Sequence, residues 1–292
     1  MNDQNFINFK KQRDLGTMLS DTFKFLNTEW KPFFATILKI SIIPILIAIC
    51  AVVYYTMSSV SFIGDISEAS NYDSLNLNFS DLVIPTSALL LSYLVAYALI
   101  TIATLSYIKS YIDHKGLVNY QEIQDATKVK FWPYVGLFFL VSLIILVGSI
   151  FCFLPGIYFW VVLSVSFCLV IFQNKGVLES ISDSFSFIKE HWWETFGILI
   201  VVQLIILAIS YVADIPAAFY QTADITTILK DQDTTELLNA FTDPIYLTLI
   251  AFSYFVKFIL YILSTIVTVF VFFDIKEQKN PSSDIIDEIG FE

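Results

Sequence analysis

The sequence predicts an all-α polytopic membrane protein: six transmembrane helices, with amphipathic interfacial helices preceding spans 1, 3 and 5. Three observations carry that expectation. The 292 residues are 57% hydrophobic and 15% charged, with a mean hydropathy of +0.72, against roughly 45–50% and about 25% in soluble globular chains. The apolar residues fall in runs of about 20 without period-2 alternation, as in membrane helices and unlike the strands of an outer-membrane barrel. Lysine and arginine also segregate to one side of those runs. A soluble domain of this length could not hide so much Phe, Ile, Leu and Val in one core. Disorder, a secreted disulfide scaffold and an ordinary cytosolic enzyme are therefore excluded.

A hydrocarbon layer about 30 Å thick takes ~20 helical residues. Residues 1–32 read as an N-terminal segment with an amphipathic helix, 33–275 as the membrane domain and 276–292 as a tail. Span one runs from Phe33 to Tyr55 and holds Lys39 and Pro44; the proline is expected to kink it. Span two, Leu82 to Ile108, has no charge. Phe131 to Asn174 is uncharged but too long for one span. Pro155-Gly156 is expected to divide it into Phe131–Phe153 and Ile157–Gln173, a tight hairpin. Span five is Thr195–Ala213, and span six, Pro244–Phe273, contains Lys257. The first apolar run is too long for a signal-peptide core and no small-residue cleavage pattern follows it, so it is expected to remain in the mature protein.

Basic residues fix the expected topology. Lys10, Lys11, Arg13, Lys24 and Lys31 precede span one, and Lys109, Lys115, Lys128 and Lys130 lie between spans two and three. Lys175 and Lys189 follow span four, and Lys276 and Lys279 follow span six. That places 13 basic residues on one side and one, Lys230, on the other. The second side holds ten acids: Asp65, Glu68, Asp73, Asp81, Asp214, Asp224, Asp231, Asp233, Glu236 and Asp243. The positive-inside rule then puts both termini in the cytoplasm of a multi-pass protein of the inner or plasma membrane. The net charge of −11 argues against nucleic acid as a partner, since phosphate binding needs a basic face.

An internal repeat accompanies these spans. Ser20-Asp21-Thr22-Phe23-Lys24-Phe25-Leu26 returns as Ser182-Asp183-Ser184-Phe185-Ser186-Phe187-Ile188, displaced by 162 residues. The register continues with Trp30 onto Trp192, Phe34 onto Phe196 and Leu38 onto Ile200. Leu15, Leu19, Phe23, Leu26 and Trp30 recur at helical spacing, as do Ile181, Phe185, Ile188 and Trp192. Gln121–Lys130 before Phe131-Trp132-Pro133 is a candidate third, degenerate copy. Copies separated by an even number of spans run parallel, unlike the inverted repeats of many transporters. The helices read either as headgroup-layer elements anchored by Trp30, Trp132, Trp192 and Trp193 or as a cytoplasmic collar around a lipid-facing groove.

Three stretches carry a family resemblance: Pro155-Gly156-Ile157-Tyr158, then Gly176-Val177-Leu178-Glu179-Ser180-Ile181-Ser182-Asp183-Ser184, then His191-Trp192-Trp193-Glu194-Thr195-Phe196-Gly197. Their order resembles the bacterial glycerophosphoryl diester phosphodiesterase membrane-domain family, best over residues 140–205, weaker over 10–40 and only architectural elsewhere. The resemblance implies a six-span membrane protein. The family's catalytic barrel has no counterpart expected here, because Lys276 to Glu292 is far short of a barrel of about 250 residues, so no catalytic residue carries over.

Motifs for chemistry are sparse. No phosphate-cradling glycine loop, G-x-S-x-G, H-E-x-x-H or S-x-x-K occurs in its required context, and no catalytic or cofactor-binding residue is assigned. Asp231 and Asp233 have the spacing that starts a calcium loop but lack its glycine and distal glutamate. Cys50, Cys152 and Cys168 lie in apolar runs and read as small hydrophobes. His114 and His191 have no partner at metal-ligand spacing, so no metal is expected.

The candidate lipid or substrate contacts are few. Lys257 sits within a span, where charge costs roughly 2.5–3.5 kcal/mol. Counted back from Phe273 it falls near the outer interface, where it snorkels or marks a headgroup site. Lys39 reaches the cytoplasmic interface likewise. Asp214 and Asp274 are expected to cap span ends in water. Gln203 reads as interhelical glue. Tyr93, Tyr97, Thr101 and Thr104 share a face of span two, which is packing polarity or a cavity wall. These features point to a non-enzymatic integral membrane protein serving membrane or lipid homeostasis or scaffolding a partner. The alternative is a transporter for a small amphiphilic or lipid-like substrate. Membrane lipids are the expected partner, with a protein partner or homo-oligomer left open.

Overall fold

The computed structural model describes residues 6–68, 80–151, 153–228, 238 and 240–279. Cys152, Asp73, Lys230, Asp231, Asp233, Glu236 and the tail beyond 279 lie outside them. Among the described residues there is no strand. Helices α1 (Leu15–Glu68), α2 (Ser80–Asp113), α3 (Tyr120–Phe151), α4 (Phe153–Ser164) and α5 (Ser166–Phe172) are followed by α6 (Val177–Ile188), α7 (Trp192–Ile228) and α8 (Pro244–Lys279). Six segments are long and apolar enough to cross a membrane: α1, α2, α3, α4 with α5, α7 and α8. The chain is an all-α polytopic membrane protein.

The helices outrun the expected spans. α1 continues to Glu68, past Tyr55, and α7 to Ile228, past Ala213. Hydropathy marks where the solvent is apolar, whereas a helix ends only where its hydrogen bonds are better satisfied another way. α1 also stays helical on both sides of Pro44, so the proline does not interrupt it. α3 is described to Phe151 and α4 from Phe153, so Pro155-Gly156 lies inside α4 and not between the two helices. Pro155 sits in the first turn of α4, where its missing N–H would have had no intrahelical partner. Gly156 serves close approach: a Cβ there would lie 3.1 Å from Ser149 Cβ, and one on Gly148 would lie 2.7 Å from Phe159.

The interfacial helices differ in kind. The segments ahead of spans one and three are continuous with α1 and α3, and only α6 is a separate helix. The apolar stripe read from the first copy faces outward: Leu15, Phe23 and Trp30 are exposed. The packed stripe is Met18, Thr22, Phe25, Phe33, Ile37 and Ser41. In α6 the packed residues are Ser180, Ser184 and Ile188. Displaced by 162 residues, Met18, Thr22, Phe33 and Ile37 fall on Ser180, Ser184, Thr195 and Leu199, and all eight are buried. In α3 the corresponding burial, at Ile123 and Thr127, stands closer to Trp132 than Thr22 does to Trp30.

The described residues form two compact units. Unit 1 takes residues 6–41, 98–204 and 261–279; unit 2 takes the described residues of 42–97 and 205–260.

Unit 1 has an aromatic core. Phe9 is fully buried, stacked on Phe270 at 4.5 Å and edge-on to Phe25 at 5.4 Å. Phe25 meets Phe33 and Tyr111, and Phe33 meets Tyr107. The chain ahead of α1 is held in this core by Arg13. Its guanidinium donates to Asp21 at 2.8 Å, to the carbonyls of Phe9 and Lys11 at 2.9 Å and to that of Asn8, and lies 4.8 Å over Phe270. The Arg13 N–H donates to Asp274 at 2.7 Å. Asp274 is therefore buried and bonded, not a solvated cap. Desolvated charge persists when it is hydrogen-bonded, and the Arg13 guanidinium makes four such bonds.

Unit 2 packs α2 on α8 through Tyr93, which lies 5.5 Å from Phe258 and 6.3 Å from Tyr254, and Tyr97, 5.2 Å from Phe258. Its helix α8 starts on an aspartate cap: Asp243 accepts the N–H of Ile245 at 2.8 Å and the hydroxyl of Tyr220 at 3.1 Å.

Candidate functional site

The candidate site is a cavity of about 220 Å³ inside unit 1. α2 contributes Thr101 and Leu105. α3 adds Phe138, Val141, Ser142 and Ile145, and α7 adds Leu199. The hairpin's return, α4 and α5, supplies Trp160, Ser164, Phe167 and Cys168, while α8 supplies Tyr261, Ser264, Thr265 and Thr268. Seven lining side chains carry hydroxyls and none carries a charge. That combination is uncommon in a protein whose interior is otherwise aromatic and aliphatic.

The return helix is interrupted beside this cavity. Val165 separates α4 from α5, flanked by two serines that bond backward. Ser164 donates to the Val161 carbonyl at 2.8 Å and Ser166 to that of Leu163 at 2.6 Å. Short hydroxyl side chains compete for backbone carbonyls and loosen the ladder. Val165 keeps right-handed helical dihedrals, so the ladder is loosened there without the chain leaving the helix path.

The hydroxyls divide into two sets. Thr101 and the Tyr261 hydroxyl lie 3.2 Å apart, and Thr265 and Thr268 donate to carbonyls of their own helix. By contrast, the Ser142 and Ser264 hydroxyls and the Trp160 Nε1–H make no hydrogen bond with another described residue, and all three line the cavity. Ser142 is exposed, so the cavity reaches the surface beside α3, next to exposed Phe139 and Leu143. With no carboxylate, imidazole or amine in the lining, nothing there would activate a serine as a nucleophile.

The structure disperses the other residues singled out by sequence. Thr101 lines the cavity, while Tyr93 and Tyr97, on the same stripe, are packing residues of unit 2. Thr104 is fully buried with its hydroxyl unpartnered. Gln203 is exposed on α7 and bonds no other described residue, so it is not glue within the chain. Lys39 is exposed, with Nζ 4.4 Å over the Tyr120 ring at the start of α3. Trp30, Trp132 and Trp193 are exposed. Trp192 is half-buried instead: it stacks on Phe196 at 5.1 Å and lies 6.0 Å from Tyr158, with its Nε1–H buried and without a hydrogen-bond partner among the described residues.

Lys257 neither snorkels alone nor stands free. In unit 2 its Nζ lies 2.9 Å from Asp214 and 4.7 Å over Tyr254, and Ser253 donates to the same carboxylate. Asp214 is thus part of an ion pair well inside α7, not a cap at its end.

Sequence reasoning missed three things. The Arg13 network needed the knowledge that residues 6–14 fold back, for which Phe6, Ile7 and Phe9 were the available signal. The break at Val165 was foreshadowed only by the Ser164-Val165-Ser166 pattern. Ser142, Ser264 and Trp160 are ordinary span residues until three dimensions bring them together. Comparison with family models, curated proteins and solved structures returned no match to this chain.

Proposed function

We propose that the protein is a non-enzymatic membrane protein that holds a small neutral amphiphile in the unit 1 cavity, in the service of membrane or lipid homeostasis. The carrying observation is the cavity itself: uncharged, hydroxyl-lined, with donors left without partners. An apolar cavity of about 150 Å³ accommodates benzene, and drug-sized pockets run to roughly 300–1,000 Å³. A volume of about 220 Å³ therefore suits one small amphiphile or part of a single chain and excludes a whole phospholipid. The exposed mouth at Ser142, among apolar surface, favours entry from the bilayer.

Depth agrees with this assignment. Ser142 lies ten residues along α3 from Trp132, about 15 Å at 1.5 Å per residue. Thr265 lies eight residues along α8 from Phe273, about 12 Å. Both are near the middle of a hydrocarbon layer about 30 Å thick. The basic residues would place both termini in the cytoplasm of a cell membrane. Lys128→Cys should then resist an impermeant thiol reagent from outside while Asp231→Cys reacts; the reverse pattern would invert the topology.

Mass spectrometry of lipids that co-purify with the full chain tests the function. A neutral amphiphile enriched over the bulk extract is expected; a bound fraction with the bulk composition would defeat the proposal. A transporter for such a molecule is the second reading, favoured by the helix break at Val165 beside the cavity. Movement of the same amphiphile between leaflets of reconstituted vesicles would distinguish it.

A further inference from the structure

A second, smaller recess of unit 1 has opposite character. It is about 120 Å³ in volume and is lined by Ser106 and Lys109 of α2, Glu122, Ala126 and Lys130 of α3, Ile171 of α5 and Asn174. Lys109 and Lys130 enter no ion pair among the described residues. Lys109 donates to the Ile171 carbonyl at 3.2 Å, which leaves two of its three N–H donors unused. Lys130 makes no hydrogen bond to any described residue. Glu122, the one acid of the lining, is already engaged: Ser110 donates to it at 3.2 Å and His114 lies 3.7 Å away.

Ser106 supplies the independent sign. The residue is 5% exposed and its hydroxyl has no hydrogen-bond partner among the described residues. A buried hydroxyl left unbonded costs about 1–3 kcal/mol, so a lining residue in that state points to something that bonds it when the recess is filled. Two unpaired ammonium groups fix the sign of that something as negative. Both line one small recess, which suits a compact, multiply accepting anion, the chemistry of a phosphate group.

The recess also stands at headgroup level. Lys130 is two residues before Trp132, which is 76% exposed, and such tryptophans sit at the membrane–water boundary. Basic pockets between membrane helices on the cytoplasmic side hold anionic headgroups. Along α3, Tyr134 is fully buried between Lys130 and Phe138, and its hydroxyl donates to the Phe167 carbonyl at 2.6 Å. The recess and the hydroxyl-lined cavity therefore lie on opposite sides of that tyrosine along the helix.

We infer that the recess between α2, α3 and α5, formed by Lys109, Lys130 and Ser106, binds the phosphate of an anionic phospholipid headgroup. The site presupposes the membrane-spanning arrangement proposed above but not the ligand of the cavity. Lys109 and Lys130 supply the charge, and Ser106 donates to a phosphate oxygen. Glu122, held by Ser110 and His114, borders the anion and disfavours a second one.

The test uses the full chain in nanodiscs of equimolar phosphatidylcholine and phosphatidylglycerol, with the retained lipid read by native mass spectrometry. Wild-type protein should retain phosphatidylglycerol selectively. Lys109→Gln/Lys130→Gln should lose that selectivity about thirtyfold, in line with the worth of two basic residues near an anionic surface, while phosphatidylcholine adducts stay unchanged. Lys130→Gln alone touches no structural hydrogen bond and should lose part of it, and Lys109→Arg/Lys130→Arg should keep it. Unchanged selectivity in Lys130→Gln and in the double variant overturns the inference. Displacement of phosphatidylglycerol by millimolar inorganic phosphate would also overturn it as written and assign the recess to a soluble phosphate compound. None of these readouts depends on the neutral amphiphile, so failure here and failure of the cavity proposal are distinguishable.

Discussion

In unit 1 the interior polar side chains at membrane depth are neutral: Thr101, Ser164, Tyr261, Ser264, Thr265 and Thr268 surround a space. In unit 2 the most polar feature is an opposed pair of charges, Lys257 and Asp214, closed on each other at 2.9 Å with Ser253 and Tyr254 around them. Both arrangements solve one problem, since hydrocarbon offers polar groups no partners. Charges solve it by pairing, which neutralises them locally. Hydroxyls solve it partly, by bonding their own backbone, and some stay available. That contrast is why the neutral cavity, and not the intramembrane lysine, is the candidate site.

The contrast can be broken in graded steps. The largest effect is expected at Arg13, whose buried charge holds the most hydrogen bonds in unit 1. Arg13→Ala strips Asp21 and three carbonyls of their donor and should destabilise the protein by about 3 kcal/mol, seen as loss of the monodisperse peak in size-exclusion chromatography after mild heating. Arg13→Lys should recover only part, because a point charge cannot reproduce the guanidinium fork. Full stability of Arg13→Ala would mean that residues 6–14 are not held as described.

Next comes the ion pair of unit 2. Asp214→Asn leaves Lys257 charged without its partner and should cost about 1–2 kcal/mol, moderated because both side chains are partly exposed. The double variant Asp214→Asn/Lys257→Met should return close to wild-type melting, since the pair is matched by its absence. A double variant as unstable as the sum of the singles would show that the residues act separately.

A smaller and opposite change is expected at Thr104. Its hydroxyl is buried with no partner, so Thr104→Val should leave stability unchanged or raise it by up to about 1 kcal/mol. A clear loss would reveal a bond to water or ligand.

The smallest effects concern the two aspartate caps, one in each unit. Hydrogen bonds from Thr17 hold the Asp14 carboxyl below the ordinary 3.8. At Asp243, desolvation pulls upward, but donors from Ile245, Tyr246 and Tyr220 outweigh it and the carboxyl is again lowered. A carboxyl lowered in the folded state contributes stability that is complete above its unfolded value and lost as pH falls through the folded one. Both caps should therefore weaken only below about pH 4. At neutral pH, Asp243→Ala should lower the melting temperature more than Asp14→Ala, because it also releases Tyr220. Equal shifts in thermal melts would contradict the cross-helix role.

Much of the fold was legible in the sequence because the solvent imposes it: long apolar runs give spans wherever water is excluded. Helix ends were not legible, as α1 and α7 show, because helices continue beyond the apolar stretch. The face of the first amphipathic helix was misread for a related reason. In water an apolar stripe marks the core, but here Leu15, Phe23 and Trp30 are exposed while Thr22 and Ser41 pack inward. At the site, only Thr101 was legible, from its stripe on α2. Lys257 drew notice because a single charge is costly, yet its partner Asp214 lies 43 residues away in sequence on another helix, a pairing that periodicity does not encode.

The most direct measurement compares the lipids bound to wild-type protein and to Ser142→Leu, a variant that changes the exposed mouth of the cavity without altering charge. Both proteins should elute as the same folded species. A neutral amphiphile enriched on wild type and depleted on Ser142→Leu, with retained phosphatidylglycerol unaltered, is the predicted result. Identical bound lipid on the two proteins, matching the bulk membrane, would contradict the assignment of the cavity as a binding site.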